Sequence, residues 1–201
     1  MKRFIFIKLL LVVVLVMVSF PVVAEELSDD FKLQYQAEDK ILLEGLEGEE
    51  DILVNDDFPS EPEIAPSETK MVFISPYLWE MIGEVYLYDL EEQEEEKLLS
   101  RDDLPKQMTP KEIKWITDDY LLLIIGKAYG TVSEGGDLYW LEVETKELYA
   151  ISELEENKEY KSIKLEEEEI ILEMAIFDEQ YLDYEIEKHT YSKEELINLL
   201  E

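Results

Sequence analysis

Short runs of β-branched and aromatic residues, each bounded by turn residues, follow one another along the chain from residue 31 onward, and part of that series recurs in the same order. Glu63-Ile64 returns as Glu112-Ile113, and Met71-Val72-Phe73-Ile74 returns as Leu122-Leu123-Ile124-Ile125. Gly83-Glu84-Val85-Tyr86-Leu87 returns as Gly136-Asp137-Leu138-Tyr139-Trp140. The offsets are 49, 51 and 53, so the order is kept while the connections lengthen. A fainter third copy runs through Ser162-Ile163, Ile170-Ile171-Leu172 and Tyr184-Glu185-Ile186. A period of about 50 residues with about four strands per unit is the pattern of β-propeller blades. One blade is a small twisted sheet with apolar faces, so it is stable only when neighbours stack on it.

The pattern predicts a mainly β fold of antiparallel sheets, arranged as propeller-blade-like repeats in a small or partial propeller. Expected strands are 31–36, 40–44, 51–55, 71–75, 84–90, 96–99, 112–117, 120–125, 137–143, 147–151, 160–165, 169–177 and 181–189. Ser192-Lys193-Glu194-Glu195 has the form of a capping box, which predicts a C-terminal helix over 192–201. Residues 58–69 hold Pro59, Pro62 and Pro66 among acids and read as a linker or irregular edge segment. Residues 25–60 are expected as an acidic N-terminal β segment, a partial blade or an extension, ahead of a β-repeat domain over 61–201. Between three and four 50-residue units fit after the leader, whereas closed rings use about four to eight blades. A very small ring, an open stack and a partial ring completed by a second copy, hence a homo-oligomer, all remain open.

Residues 1–24 have the order of a secretory signal. Lys2, Arg3 and Lys8 give a basic start, 9–18 an apolar core, and Val22-Val23-Ala24 a small-residue cleavage site before Glu25. The core is shorter than the roughly 20 residues of a spanning helix, so the membrane enters only if that segment stays uncleaved. The location expected is secreted or extracytoplasmic. The sequence holds no cysteine, which removes disulfides and a thioether lipid anchor on these residues.

Loss of the leader's three cations moves the formal charge from −33 to −36. Such a surface repels nucleic acid and anionic lipid, so neither is expected as a partner. A hydrophobic content of 46% nevertheless demands a core and excludes a disordered chain.

The stretches Ile74-Ser75-Pro76-Tyr77-Leu78-Trp79-Glu80 with Gly83 to Leu90, and Ile113-Lys114-Trp115-Ile116 with Ile124 to Ser133, resemble an uncharacterised exported bacterial family, domain of unknown function 4652. The segment Tyr191 to Leu200 is similar to that family's ending. The resemblance covers 61–201, is most distinctive over 126–136, and implies propeller-like repeats and export. It brings no assigned activity and no functional residue.

Two loops carry the best candidate residues. Residues 126–136 hold four glycines and three hydroxyl side chains between apolar strands, a composition suited to presenting backbone N–H groups to an anion or sugar, or simply to turning the chain. The phosphate-loop spacing is absent, because Leu121 and Ala128 stand where a glycine and a Ser or Thr are required. The corresponding loop one repeat earlier is 75–83. Corresponding loops of stacked blades emerge on one rim, which groups Tyr77, Trp79, Glu80, Tyr129, Thr131, Ser133 and Glu134 as a candidate binding surface. The competing reading packs Tyr77 and Trp79 across a blade junction as core.

No catalytic residue is assigned. His189 is the lone histidine, no cysteine is present, and no serine sits in a G-x-S-x-G elbow, which leaves a triad without its parts. No cofactor and no metal site are assigned either, since the runs 91–96 and 166–169 lack the D-x-[DN]-x-[DN]-G pattern. The expectation is a non-enzymatic binding or interaction module that engages a protein or a component of the cell envelope. The alternatives are a hydrolase using a carboxylate pair and a calcium-dependent structural protein.

Overall fold

The computed structural model describes residues 22–26, 31–37, 39–46, 49–130, 134–167 and 169–198, with the backbone alone for 22–26. Four antiparallel sheets follow one another along the chain. Sheet 1 comprises β1 (Val22–Glu26), β2 (Phe31–Gln36), β3 (Lys40–Gly45) and β4 (Ile52–Asn55). Sheet 2 comprises β5 (Glu63–Ile64), β6 (Lys70–Ser75), β7 (Glu84–Asp89) and β8 (Glu94–Leu99). Sheet 3 comprises β9 (Met108–Trp115), β10 (Tyr120–Lys127), β11 (Asp137–Glu142) and β12 (Leu148–Ala150). Sheet 4 has three strands, β13 (Lys158–Leu165), β14 (Glu169–Phe177) and β15 (Tyr184–Ser192), and runs into helix α1 (Lys193–Ile197). Every sheet is a meander in which sequence neighbours pair, the arrangement of a propeller blade.

Period-two alternation decides which face of each strand meets which neighbour. Leu33, Ile41 and Leu43 of sheet 1 pack on Met71, Phe73 and Tyr88 of sheet 2. The other side of sheet 2, with Val72, Ile74, Val85 and Leu87, packs on Ile113, Trp115, Leu121, Leu123, Ile125 and Leu141 of sheet 3. Leu122, Ile124, Leu138 and Trp140 then face Ile170, Leu172 and Met174 of sheet 4, with Leu196 of α1 in the same cluster. This explains why β10 reads Leu-Leu-Leu-Ile-Ile without alternation: both faces are inside. In β2 the residues Phe31, Leu33 and Tyr35 alternate with Lys32, Gln34 and Gln36, because only one face is covered.

Of the two readings of residues 58–69, linker or irregular edge segment, the second holds: Glu63–Ile64 is the edge strand of sheet 2, paired with Val72 and Met71. One expectation from the repeat is corrected. The match of Met71 to Leu122 is one residue out of step. Met71 pairs with Tyr88 and Leu121 with Leu141, so Met71 corresponds to Leu121 when β7 is set on β11 at the offset of 53. A one-residue slip turns every side chain to the opposite face, and only the corrected register keeps Val72 and Leu122 both facing the following sheet. The C-terminal helix begins after Ser192, whose side chain accepts from the backbone N–H of Glu195 while the Glu195 side chain accepts from the Ser192 N–H. Residues 199–201 of the expected helix lie outside the described residues.

The expected leader lies outside the described residues up to residue 21, and a cut before Glu25 would fall within β1. Among the described residues no helix is long and apolar enough to cross a membrane.

Candidate functional site

The loop that leaves β6 and the start of β9 enclose a cleft of about 220 Å³ lined by Tyr77, Leu78, Trp79, Met81, Lys111 and Glu134, with Pro76, Thr109 and Pro110 completing the wall. The loop is pinned at several points. The Tyr77 N–H donates to the Phe58 carbonyl at 2.7 Å, and the Tyr77 hydroxyl donates to the Lys111 carbonyl at 2.8 Å. At its far end the Gly83 N–H donates to Thr109 Oγ1 at 3.0 Å. These bonds hold aromatic faces toward solvent: Trp79 is 61% exposed and Tyr77 45%. Neither packs as core at a blade junction. The other two tryptophans, Trp115 and Trp140, are buried.

Charge lines one side of the cleft. Lys161 of β13 makes ion pairs with Glu134 at 2.8 Å and with the buried Glu159 at 3.3 Å. Burial works against the Lys161 ammonium, but the hydrogen bond to Glu134 and the Glu159 charge prevail and raise its pKa. The same bond lowers the pKa of Glu134. Lys111 shifts down, because burial outweighs the attraction of Glu159 and Glu134. The Tyr77 hydroxyl shifts up through desolvation and the nearby Glu112 charge.

Of the residues expected at the rim, Tyr77, Trp79 and Glu134 come together in this cleft. Glu80 sits in the same loop at φ 58° and Tyr129 is exposed on the 128–136 connection, and neither lines it. Thr131 and Ser133 lie outside the described residues. Lys111, Met81 and Lys161 escaped sequence reasoning. Met81 lies in the same 75–83 loop as Tyr77 and Trp79, whereas Lys111 and Lys161 are brought in by strands of the following sheets, and no local motif announces those two.

The glycines of the second loop have a packing role. A Cβ on Gly136 would stand 2.1 Å from the Ile125 carbonyl oxygen, and one on Gly126 would stand 1.7 Å from that of Gly135. A Cβ on Gly135 would stand 2.0 Å from the Tyr160 carbonyl oxygen, so the bare backbone there admits sheet 4, and Gly136 exchanges two backbone hydrogen bonds with Tyr160, at 2.8 and 3.1 Å, tying sheet 3 to sheet 4. Beside it, Gly135, Asp137, Leu154, Glu159, Phe177 and Tyr181 contribute to a second cavity of about 350 Å³ between those sheets.

Two carboxyls shift upward. Glu63 does so by burial against the pull of its partner Lys114, and Glu112 by burial against a backbone bond from Ile163. Each spans a junction: Glu63 binds the Lys114 ammonium and Glu112 accepts the Ile163 N–H at 3.1 Å. Neither lines the cleft. His189 stands on β15 with Nε2 3.7 Å from Glu187. Among the described residues no group of three or more histidines and acids is placed to hold a metal ion.

Residues 76–193 match the model of a family described as Domain of unknown function (DUF4652). The chain belongs to that family. All the residues lining the cleft fall inside the matched span, so the DUF4652 region contains the candidate site. No curated protein matches the chain. Among solved structures, a candidate conserved lipoprotein of Clostridium novyi NT is similar at 25% identity and a TM-score of 0.61, over 67% of this chain and 86% of that one. The β-propeller domain of the Trilobed protease from Pyrococcus furiosus, described as having an open velcro topology, is similar at 16% identity and a TM-score of 0.51, over 85% of this chain and 53% of that one. The tricorn protease is similar at 12% identity and a TM-score of 0.56, over 86% of this chain and 16% of that one. The DUF4652 chain therefore has the propeller-blade fold, and it spans only part of the two proteases' structures.

Proposed function

We propose that this protein is an extracytoplasmic binding module that engages a protein or envelope component through the cleft of Tyr77, Trp79, Met81 and Lys111. The single observation that carries this reading is the exposure of Trp79 and Tyr77 on a loop fixed by hydrogen bonds, when the other two tryptophans are buried. Flat aromatic area held rigidly in the open binds a partner with little ordering cost, and the neighbouring Lys111 and Glu134 supply orientation. The location rests on the leader-like N-terminus and on the likeness to the clostridial candidate lipoprotein. A hydrolase would need a carboxyl with raised pKa in the cleft, and Glu134 there is lowered by Lys161. A calcium-dependent role has no donor cluster among the described residues to support it.

Because Trp79 is exposed and its two counterparts are buried, its fluorescence reports on the cleft. Titration with a cell-envelope extract is expected to shift the emission to shorter wavelength and shield it from acrylamide. Trp79→Ala immobilised on a column is expected to lose retention of the component that native protein holds, with an unchanged circular dichroism spectrum. Equal retention by native protein and variant would remove the cleft from the function.

A further inference from the structure

The connections β6–β7, β10–β11 and β14–β15 hold the same place in sheets 2, 3 and 4, and two cavities join them in series along one rim. The cleft lies between residues 76–81 of the first connection, the start of β9 and Glu134 of the second. The second cavity, of about 350 Å³, lies between Gly135 and Gly136 of the second connection, the start of β13 and Tyr181 of the third. Glu134 lines the one and Glu159 the other, and Lys161 is ion-paired to both. Each cavity is built from the same parts. Aromatic faces are supplied by Tyr77 and Trp79 of the preceding sheet in the cleft, and by Phe177 and Tyr181 of the following sheet in the second cavity. Lysines stand beside them, Lys111 in the cleft and Lys127 and Lys158 in the second cavity. Of the seven exposed aromatic residues among the described residues, four, Tyr77, Trp79, Tyr129 and Tyr181, lie on these three connections.

We propose that this rim binds an uncharged polysaccharide, with successive parts of one chain seated in the two cavities; the proposal rests on the reading of the Tyr77–Trp79 cleft as a binding site and extends it across one more blade. A site that recurs one blade along fits a ligand that is itself a repeat. A sugar ring has a flat C–H face for the negative face of an aromatic ring, and hydroxyls that donate and accept, so it suits lysines and carboxylates standing side by side. Charge selects against the other polymers. Five carboxylates, Glu134, Asp137, Glu155, Glu156 and Glu159, line the two cavities with the three lysines, and Lys161 neutralises two of them. The whole chain has 51 Asp+Glu against 18 Lys+Arg, so the acid excess lies away from the rim, in runs such as 91–96. A polyanion is repelled by the molecule as a whole, and a polycation would gather on those runs instead.

The probe is the uncharged polysaccharide fraction of a cell-envelope extract, freed of protein by proteinase and of acidic polymers by an anion exchanger. Immobilised native protein is expected to retain it equally from about 0.05 to about 0.5 M NaCl, and to lose it once periodate has cleaved the vicinal diols of the probe. Trp79→Ala and Tyr181→Ala are each expected to weaken binding about tenfold with unchanged circular dichroism, since both positions are exposed. Tyr181→Phe is expected to keep it, because the ring supplies the face. An uncharged fraction that passes through unretained would overturn the proposal. So would an untreated extract whose retention needs Trp79 but is destroyed by proteinase, a result that keeps the cleft as a binding site and makes the partner a protein. Native affinity in Tyr181→Ala would remove the second cavity and with it the extended site. Native retention by Trp79→Ala would instead remove the cleft, the reading on which the proposal rests.

Discussion

Sheets 3 and 4 are built from the same meander and differ in how many faces they bury. In β10 the consecutive residues Leu121 to Ile125 are all inside, the odd numbers toward sheet 2 and the even ones toward sheet 4. In β14 the apolar set Ile170, Leu172 and Met174 covers one face, and the other face turns ionic at Glu173, held between Lys164 and Lys188. The comparison teaches that a blade's position in the stack is written in the loss or return of polar alternation along its central strand. It also locates the stability of the molecule, since apolar burial at the junctions dominates and sheets 2 and 3 each share two of them, whereas sheet 4 shares one.

The largest effect separates those two sheets directly. Trp140→Ala removes a fully buried side chain and is expected to cost about 3–5 kcal/mol, whereas Ile186→Ala, on the exposed face of sheet 4, is expected to cost less than about 0.5 kcal/mol. Urea unfolding of both variants measures the two costs, and comparable values would erase the distinction. A second break targets the bond between the sheets. Gly136→Ala puts a methyl group 2.1 Å from the Ile125 carbonyl oxygen and is expected to cost about 1–3 kcal/mol through forced backbone movement. Faster amide exchange at Tyr160, whose N–H donates to the Gly136 carbonyl, is the accompanying sign that the sheet 3 to sheet 4 tie is the part released. A melting temperature equal to that of native protein would show the contact relaxes freely.

The features that sequence made legible are those with local causes. β14 is bounded where alternation and turn residues place it, and Ser192 with Glu195 forms the capping box their spacing announces. β5 was legible only as a repeat counterpart of Glu112-Ile113 and as one of two readings of 58–69, because it has two residues between Pro62 and Pro66 and its pairing with β6 is a tertiary fact. The offset of the second repeated segment slipped by one because Leu121 to Ile125 are interchangeable by composition, and only the register with β11 distinguishes their faces. At the cleft, Tyr77 and Trp79 were visible as unusual loop aromatics. Lys111 and Lys161 were not, since one comes from the adjoining sheet and the other from the sheet beyond it.

The smallest effect tests the charged side of sheet 4 against the inside of the junctions, using pH. Glu173 accepts hydrogen bonds from Lys164 at 2.7 Å and Ser162 at 3.1 Å and pairs with Lys188 at 2.9 Å, which holds its pKa down to about 2 from 4.5. A carboxylate depressed by folding stabilises above its unfolded pKa and loses that contribution as pH falls through the folded value. Glu173→Gln is therefore expected to melt below native protein at pH 7, with the gap closing between pH 4.5 and about 2. Glu112 has the opposite sign. Burial raises its pKa, so its contribution is present in acid and is lost as pH rises through the folded value. Glu112→Gln keeps an oxygen to accept the Ile163 N–H without burying a charge, and is expected to match or exceed native stability at pH 7. Thermal melts of both variants from pH 2 to 7 decide the matter: parallel curves would mean that the exposed face and the buried junction handle charge alike, and the contrast between them would fail.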